Sequence, residues 1–275
     1  MKILILGGDG MAGHMAADYL NKLAGYQVLH TTRRLPGKAA IQCDALDFDR
    51  VGSIISEQKP DFVINAIGLL NQEVDRRPYE GITLNSLLPH FLAKELDKYG
   101  GRLIHISTDC VFSGAHGNYT EDSAADGLSL YAKTKSLGEV KESNHLTIRT
   151  SIIGPEKKHD GIGLLQWFQK QKGTISGYTN VWWNGVTTLE LAKFIRYAMD
   201  NRLNGLCHLH APEKVNKYEL LKLFKEYLLK DDVNIIPDGA YASDKTLIST
   251  RQDIAYFVPS YRSMMEELCD WMAKT

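Results

Sequence analysis

Ile3-Leu4-Ile5-Leu6-Gly7-Gly8-Asp9-Gly10-Met11-Ala12-Gly13 opens the chain. The apolar run stops abruptly at glycine, and behind the loop Met15, Ala16, Ala17, Tyr19, Leu20 and Leu23 recur at helical spacing. The stretch reads as strand, tight turn, helix. Its glycines have separate tasks: Gly7 bends the chain sharply, Gly10 lets a ligand touch the backbone, and Gly13 lets the helix lie close on the strand. The first helical turn, with Met11 and Ala12, then offers unpaired N–H groups suited to a pyrophosphate.

Outward from this unit, short aliphatic runs alternate with helical patterns. Strands are expected at Ile3 to Leu6, Gln27 to Thr31, Ala39 to Cys43, Phe62 to Asn65, Leu103 to Ser107 and Leu146 to Arg149. Val51 to Ser56, Ile82 to Tyr99 and Ala132 to Val140 have the spacing of covering helices. This rhythm predicts an α/β fold, a Rossmann-like doubly wound parallel sheet. After Arg149 it loosens, with helical patterns around Ile162 to Gln171, Leu189 to Asp200, Tyr218 to Leu229 and Tyr261 to Met272. The expected division is a dinucleotide-binding domain over residues 1–150 and a smaller C-terminal α/β substrate-binding domain over 151–275, with the helix near 189–200 folding back onto the sheet.

Composition narrows the partners. The chain has 275 residues, 44% hydrophobic and 24% charged, with a formal net charge of −1, so it can bury a core and has no basic stripe for nucleic acid. Cys43, Cys110, Cys207 and Cys269 are far apart without a CxxC pair. Free thiols, no metal site and a reducing, cytoplasmic compartment are expected. No apolar run reaches membrane-spanning length. A homodimer is compatible with the sequence.

The second strand decides between dinucleotides. An NAD-type loop places a carboxylate about 20 residues past the glycines; here the position reads His30-Thr31-Thr32-Arg33-Arg34. Arg33 presents a guanidinium fork that matches a 2′-phosphate, so NADPH is the expected cofactor, with NADH the alternative. Arg33 as a solvated charge is the plainer reading. Asp44, beside Ala45, could accept from the adenine amine, or an acidic residue there could cap the helix at Asp47.

Tyr131-Ala132-Lys133-Thr134-Lys135 puts a phenol and an ammonium on one helical face. Tyr218 with Lys222 and Tyr241 with Lys245 share that spacing, so position must select among them. Only Tyr131 begins a helix after the fifth strand, which ends in Ser107-Thr108 at the sheet's carboxyl edge, where α/β ligands bind. With a cationic Lys135 nearby and an oxidised nicotinamide adding further positive charge, Tyr131 should ionise more readily than its reference pKa of about 10 and act as general acid and base. Thr108 would hydrogen-bond the reacting carbonyl oxygen or simply cap the strand, and Lys135 would hold the nicotinamide ribose.

Three quoted segments carry a resemblance: Ser107-Thr108-Asp109-Cys110-Val111-Phe112-Ser113-Gly114, Tyr131 to Glu139, and Ile148-Arg149-Thr150-Ser151. In this order they resemble the extended short-chain dehydrogenase/reductase superfamily, and within it the dTDP-4-dehydrorhamnose reductase family of sugar-nucleotide-binding proteins. The resemblance implies reduction by NADPH of the C4 ketone of a nucleotide-linked 4-keto-6-deoxyhexose, with a role in deoxysugar and polysaccharide biosynthesis. It implies cofactor contacts from the glycine loop, Arg33, Asp44, Ala45, Asn65, Ala66, Ile67, Gly68, Tyr131 and Lys135, and substrate contacts from Thr108 and Asp109. Val181 to Thr188 resembles the family's substrate loop, in which Trp183 and Asn184 touch the sugar nucleotide or anchor the packing. Arg149 pairs with a phosphate or braces the active-site loop. Cys110 stands where tyrosine is usual, and Ile152 where an aromatic commonly follows, both near the expected sugar pocket; a UDP-linked or N-acetylated 4-keto sugar is therefore an alternative substrate. A neutral thiol at 110, in place of a second carboxylate, disfavours a 4,6-dehydratase. Two further readings are a non-catalytic dinucleotide-binding subunit, like the methionine adenosyltransferase regulatory subunit, and a nucleotide-sugar epimerase.

Overall fold

The computed structural model describes residues 1–34, 40–142, 144–157 and 161–274. Its strands are β1 (Lys2–Leu6), β2 (Gln27–Thr32), β3 (Ala40–Gln42), β4 (Phe62–Asn65), β5 (Arg102–Thr108), β6 (Leu146–Thr150), β7 (Ile152–Ile153), β8 (Gly173–Trp183), β9 (Val186–Thr187), β10 (Gly205–His208), β11 (Val215–Asn216) and β12 (Val233–Asp244). The helices are α1 (Met11–Asn21), α2 (Phe48–Gln58), α3 (Asn71–Arg76), α4 (Pro78–Ile82), α5 (Leu88–Asp97), α6 (Leu130–Leu137), α7 (Leu164–Lys170), α8 (Thr188–Asp200), α9 (Lys217–Tyr227) and α10 (Tyr261–Lys274). A π-helical turn, Thr83–Leu87, joins α4 to α5. Ala39, expected to begin the third strand, lies outside the described residues.

The central sheet has seven strands in the order β10-β6-β5-β4-β1-β2-β3, and every pairing is parallel. Because side chains alternate across a strand, Ile3 and Ile5 of β1 face one core layer and Leu4 and Leu6 the other. The first layer is filled by α1 and α8, with Met15, Leu20, Phe194 and Ile195. The second is filled by α2 and α5, with Ile54, Ile55, Leu92 and Leu96. Burial on both faces is the normal state of a parallel sheet. The chain reverses its winding between β1 and β4, so their carboxyl ends diverge into a crevice at the switch point.

Beyond residue 150 the chain contributes more to this sheet than sequence patterning indicated. Cys207 and its neighbours in β10 pair with β6, and Gly205-Leu206-Cys207-His208 has no β-branched or continuous aliphatic run to mark it as a strand. The first core layer continues without a break into Trp183, Leu220, Phe224, Val233, Met264 and Leu268. Outside the main sheet, β11, β8 and β12 form a second one. β12 runs parallel to β8 with a register shift between Asp238 and Ala242, which accommodates a Pro237-Asp238-Gly239 sequence that opposes strand formation. No helix among the described residues is long and apolar enough to cross a membrane.

Candidate active site

The glycine loop closes at the carboxyl end of β1. Gly7 has φ +85°, and the Gly10 N–H donates to its carbonyl at 2.9 Å. A Cβ at Gly13 would stand 2.2 Å from that carbonyl oxygen, so only glycine lets α1 sit this close to the turn. Gly10, by contrast, borders an open cleft with Met11 and Ala12. β2 steadies the loop from behind: Thr31 Oγ1 accepts from the Gly7 N–H at 3.2 Å, and Thr32 Oγ1 donates to Asp9 at 2.5 Å.

The cleft, about 380 Å³ in volume, extends from this loop over the ends of β4, β5 and β6. Ala66, Ile67 and Gly68 line it after β4; Ser107 and Thr108 at the end of β5, with Asp109 and Cys110 following; and Thr150 at the end of β6, with Ser151 and Ile152 following. Tyr131 and Lys135 enter from α6, where Ser129 caps the helix by accepting from the Ala132 N–H. The expected triad of Thr108, Tyr131 and Lys135 therefore shares one cavity with Gly10, Met11 and Ala12. Glu156, Ile162 and Gly163 complete its rim, with Glu156 accepting from the Gly163 N–H at 2.8 Å. Sequence reasoning did not single out these three, since the segment carries no motif and a helical pattern beginning near Ile162 does not place its first residues at a cleft. Cys110 and Ile152, the two departures from the family pattern, both line the cleft.

Electrostatics at the triad differ from the sequence expectation. Tyr131 is only 8% exposed, and burial raises its phenol above the ordinary range, with Cys110 and Asp109 acting in the same direction and a hydrogen bond with Thr108 opposing them. Lys135 is turned to β5, where its Nζ donates to the Ile106 carbonyl at 2.7 Å and lies 3.2 Å from His105 Nε2. Burial pushes Lys135 itself down to about 8, against the pull of Glu139. Thr108 Oγ1 accepts from the Cys110 N–H and donates to Asp109 at 3.2 Å. Asp109 is raised by burial and opposed by Lys245 and Lys217, while burial drives the Cys110 thiol up to about 11.

Other expected contacts are placed elsewhere. The Arg149 guanidinium holds Glu139 with two 2.7 Å bonds, lies 3.3 Å from His208 Nε2, and sits over the Phe112 ring at 5.0 Å. With its fork engaged and 1% of its surface exposed, it braces the tips of β6 and β10 and does not reach the cleft. The Asn184 amide is closed on Leu247, donating to its carbonyl and accepting from its N–H. Trp183 stacks on Tyr261 at 5.6 Å and is buried in the core. All three lie outside the cleft lining, in the packing and bracing positions that were the alternative to substrate contact. Asn65 is fully buried beneath the cleft wall, bonded to His105 and the Ile67 N–H. Arg33 is exposed at the end of β2, outside the cleft lining. Asp47 caps α2 through Arg50, while Asp44 holds the Leu46 N–H and Ala45 is buried in the second core layer.

Comparison with known proteins follows the same lines. The family model of the RmlD substrate binding domain matches residues 1–244. The spore coat polysaccharide biosynthesis protein SpsK of Bacillus subtilis is 30% identical over 154 residues, 55% of this chain and 51% of that protein; the match thus spans about half that relative's length. Methionine adenosyltransferase 2 subunit beta of Rattus norvegicus is 28% identical over 233 residues, 80% of this chain and 70% of that protein. Among solved structures, a Bacillus anthracis dTDP-4-dehydrorhamnose reductase in complex with NADP superimposes with a TM-score of 0.84 at 19% identity, covering 100% of this chain and 99% of that one.

Proposed function

The chain belongs to the RmlD substrate binding domain family, and from that premise we propose that it is an NADPH-dependent reductase of the C4 ketone of a nucleotide-linked 4-keto-6-deoxyhexose. The observation that carries this reading is the meeting of Tyr131, Lys135 and Thr108 with the backbone of Gly10, Met11 and Ala12 in one cleft. A glycine-lined turn leading into the start of an eleven-residue helix fits a pyrophosphate, and Ala66 to Gly68 form a wall for the adjoining ribose. When bound, NADPH supplies the hydride. Arg33 would meet its 2′-phosphate from the rim, and Lys135 would hold the nicotinamide ribose through the N–H bonds not taken by Ile106. Residues 151–275 are assigned to the substrate side, with α8 and β10 returned to the dinucleotide-binding layers.

A phenol raised by burial keeps its proton at neutral pH, the state required to donate to a ketone oxygen. Tyr131 is thus prepared for the reductive direction, and Thr108 would turn its hydroxyl from Asp109 to the same oxygen. The protonated Cys110 thiol supplies no general base beside Asp109, which speaks against elimination of water. Similarity to a methionine adenosyltransferase subunit over 80% of the chain favours one competing reading, a dinucleotide-binding subunit without turnover. A panel of dTDP- and UDP-linked 4-keto-6-deoxy sugars, offered with NADPH, separates the two. Stoichiometric NADPH oxidation with a C4 alcohol identified by NMR is the expected result; NADPH binding with no oxidation on any sugar would sink the reductase.

A further inference from the structure

A directed hydrogen-bond chain runs behind Lys135. It starts at the Ile67 backbone N–H, which donates to Asn65 Oδ1 at 3.1 Å. Asn65 Nδ2 lies 3.1 Å from His105 Nδ1, and His105 Nε2 lies 3.2 Å from Lys135 Nζ. Nζ then donates to the Ile106 carbonyl at 2.7 Å. The register sets Asn65 of β4 directly opposite His105 of β5, and both side chains are fully buried, so their donors and acceptors must be matched from within the chain.

Its two ends cannot exchange roles. A backbone N–H only donates, a backbone carbonyl only accepts, and the amide and imidazole between them take their roles from the network. With Asn65 Oδ1 turned to Ile67, Nδ2 donates to His105 Nδ1, which leaves the ring proton of a neutral imidazole on Nε2. That N–H points at Lys135 Nζ, which can accept it only with a lone pair. An ammonium at Nζ would need His105 Nε2 as acceptor, moving the ring proton to Nδ1 against the Asn65 amide. Turning the amide over only passes the conflict to the Ile67 N–H. Every arrangement with a charged Lys135 holds one buried donor against another and forfeits a hydrogen bond.

We propose that His105, oriented by Asn65, is a positioning residue that disfavours the ammonium form of Lys135 in the ligand-free cleft, so that this amine gives up its proton at a lower pH than a surface lysine. The surrounding charges do not reverse this. Glu139, beyond the end of α6, favours the ammonium, but its carboxylate is bound by Arg149 of β6, Ser107 of β5 and Lys141. His90 of α5 acts on the His105 ring and disfavours an imidazolium. Asn85 and Ser86 face α6 from the π turn through Thr134, and neither titrates. Tyr131, on the cleft side one turn earlier, is held neutral by burial. Burial of Lys135 and of His105 acts in the same direction as the hydrogen-bond chain.

The test uses the ligand-free protein carrying 13Cε-lysine and ring-15N histidine. His105 is expected as the neutral tautomer protonated on Nε2. The Lys135 signal, assigned by its loss in Lys135→Met, is expected to titrate at least about one pH unit below the other lysines. Asn65→Asp offers two acceptors and reverses the chain: the His105 proton should move to Nδ1 and the Lys135 midpoint rise by about one unit or more. The tautomer change separates reversal from the effect of added charge alone. A wild-type ring protonated on Nδ1, a Lys135 midpoint level with the other lysines, or an unchanged tautomer in Asn65→Asp overturns the proposal; if that variant does not fold, the wild-type ring spectrum decides. The kinetic consequence rests on the reductase reading: the alkaline limb of kcat/KM should shift with the Lys135 midpoint. Absence of turnover on every sugar would defeat that reading and leave the NMR result standing.

Discussion

Tyr131 with Lys135 on α6 and Tyr218 with Lys222 on α9 have the same spacing and opposite surroundings. On α9 the ammonium lies 5.3 Å from the Tyr218 ring centre and 3.2 Å from Glu219, with the Lys222 and Glu219 side chains half exposed. Water screens the pair, and it does what a surface i,i+3 or i,i+4 contact ordinarily does. On α6 both residues are buried at the carboxyl edge of the sheet, and β5 meets Lys135 with a carbonyl and an imidazole instead of a carboxylate. Spacing brings two groups to one face; burial and the neighbouring element decide their protonation. The third pair, Tyr241 and Lys245, straddles the end of β12 and begins no helix.

The sharpest break in the comparison is the phenol. Tyr131→Phe should lower kcat by about 10²–10⁴-fold with NADPH affinity retained, while Tyr218→Phe leaves kcat unchanged; equal losses in steady-state assays would erase the distinction. Next comes the charge pairing around each helix. Glu139→Ala strands the buried Arg149 and should cost about 3–5 kcal/mol in urea unfolding, whereas Glu219→Ala should cost about 1 kcal/mol or less.

The pH dependence of stability sharpens the contrast further. Lys135 is lowered from 10.5 to about 8 in the fold, so between those values the unfolded chain binds more protons than the native one, and stability rises with pH. Relative to Lys135→Met, the wild type should therefore gain on the order of 2–3 kcal/mol as pH climbs from about 8 to 10.5. A flat difference in urea midpoints across that window would mean that burial does not act on this amine. The smallest effect is expected at an exposed cation whose role comes only from a ligand: Arg33→Ala should reduce the preference for NADPH over NADH about tenfold, with unfolding unchanged.

Much of the first half was legible because its signals are local. An apolar run cut by Gly7, a helical period after Gly13 and the buried strands β4, β5 and β6 each announce themselves within a few residues, and alternation along β1 already contains its two core faces. The candidate triad was legible through its order along that frame. Arg149 and Asn184 were not, because their partners Glu139 and Leu247 come from other elements and nothing in either neighbourhood names them. β8 and β12 escaped because Gly177, Pro237 and Gly239 interrupt any strand pattern, and their pairing partner lies about 60 residues away in the chain.

Local sequence determined the parallel sheet, the glycine turn and which side chains stand at the sheet's carboxyl edge, since steric and hydrophobic preferences act over one or two helical turns. Tertiary structure alone decided their chemical state. It raised the Tyr131 phenol where the nearby lysine had suggested the reverse, and it turned Lys135 toward Ile106 and His105. Desolvation and hydrogen-bond direction depend on what packs against a group from elsewhere in the chain, and neither is encoded in the spacing of residues along one helix.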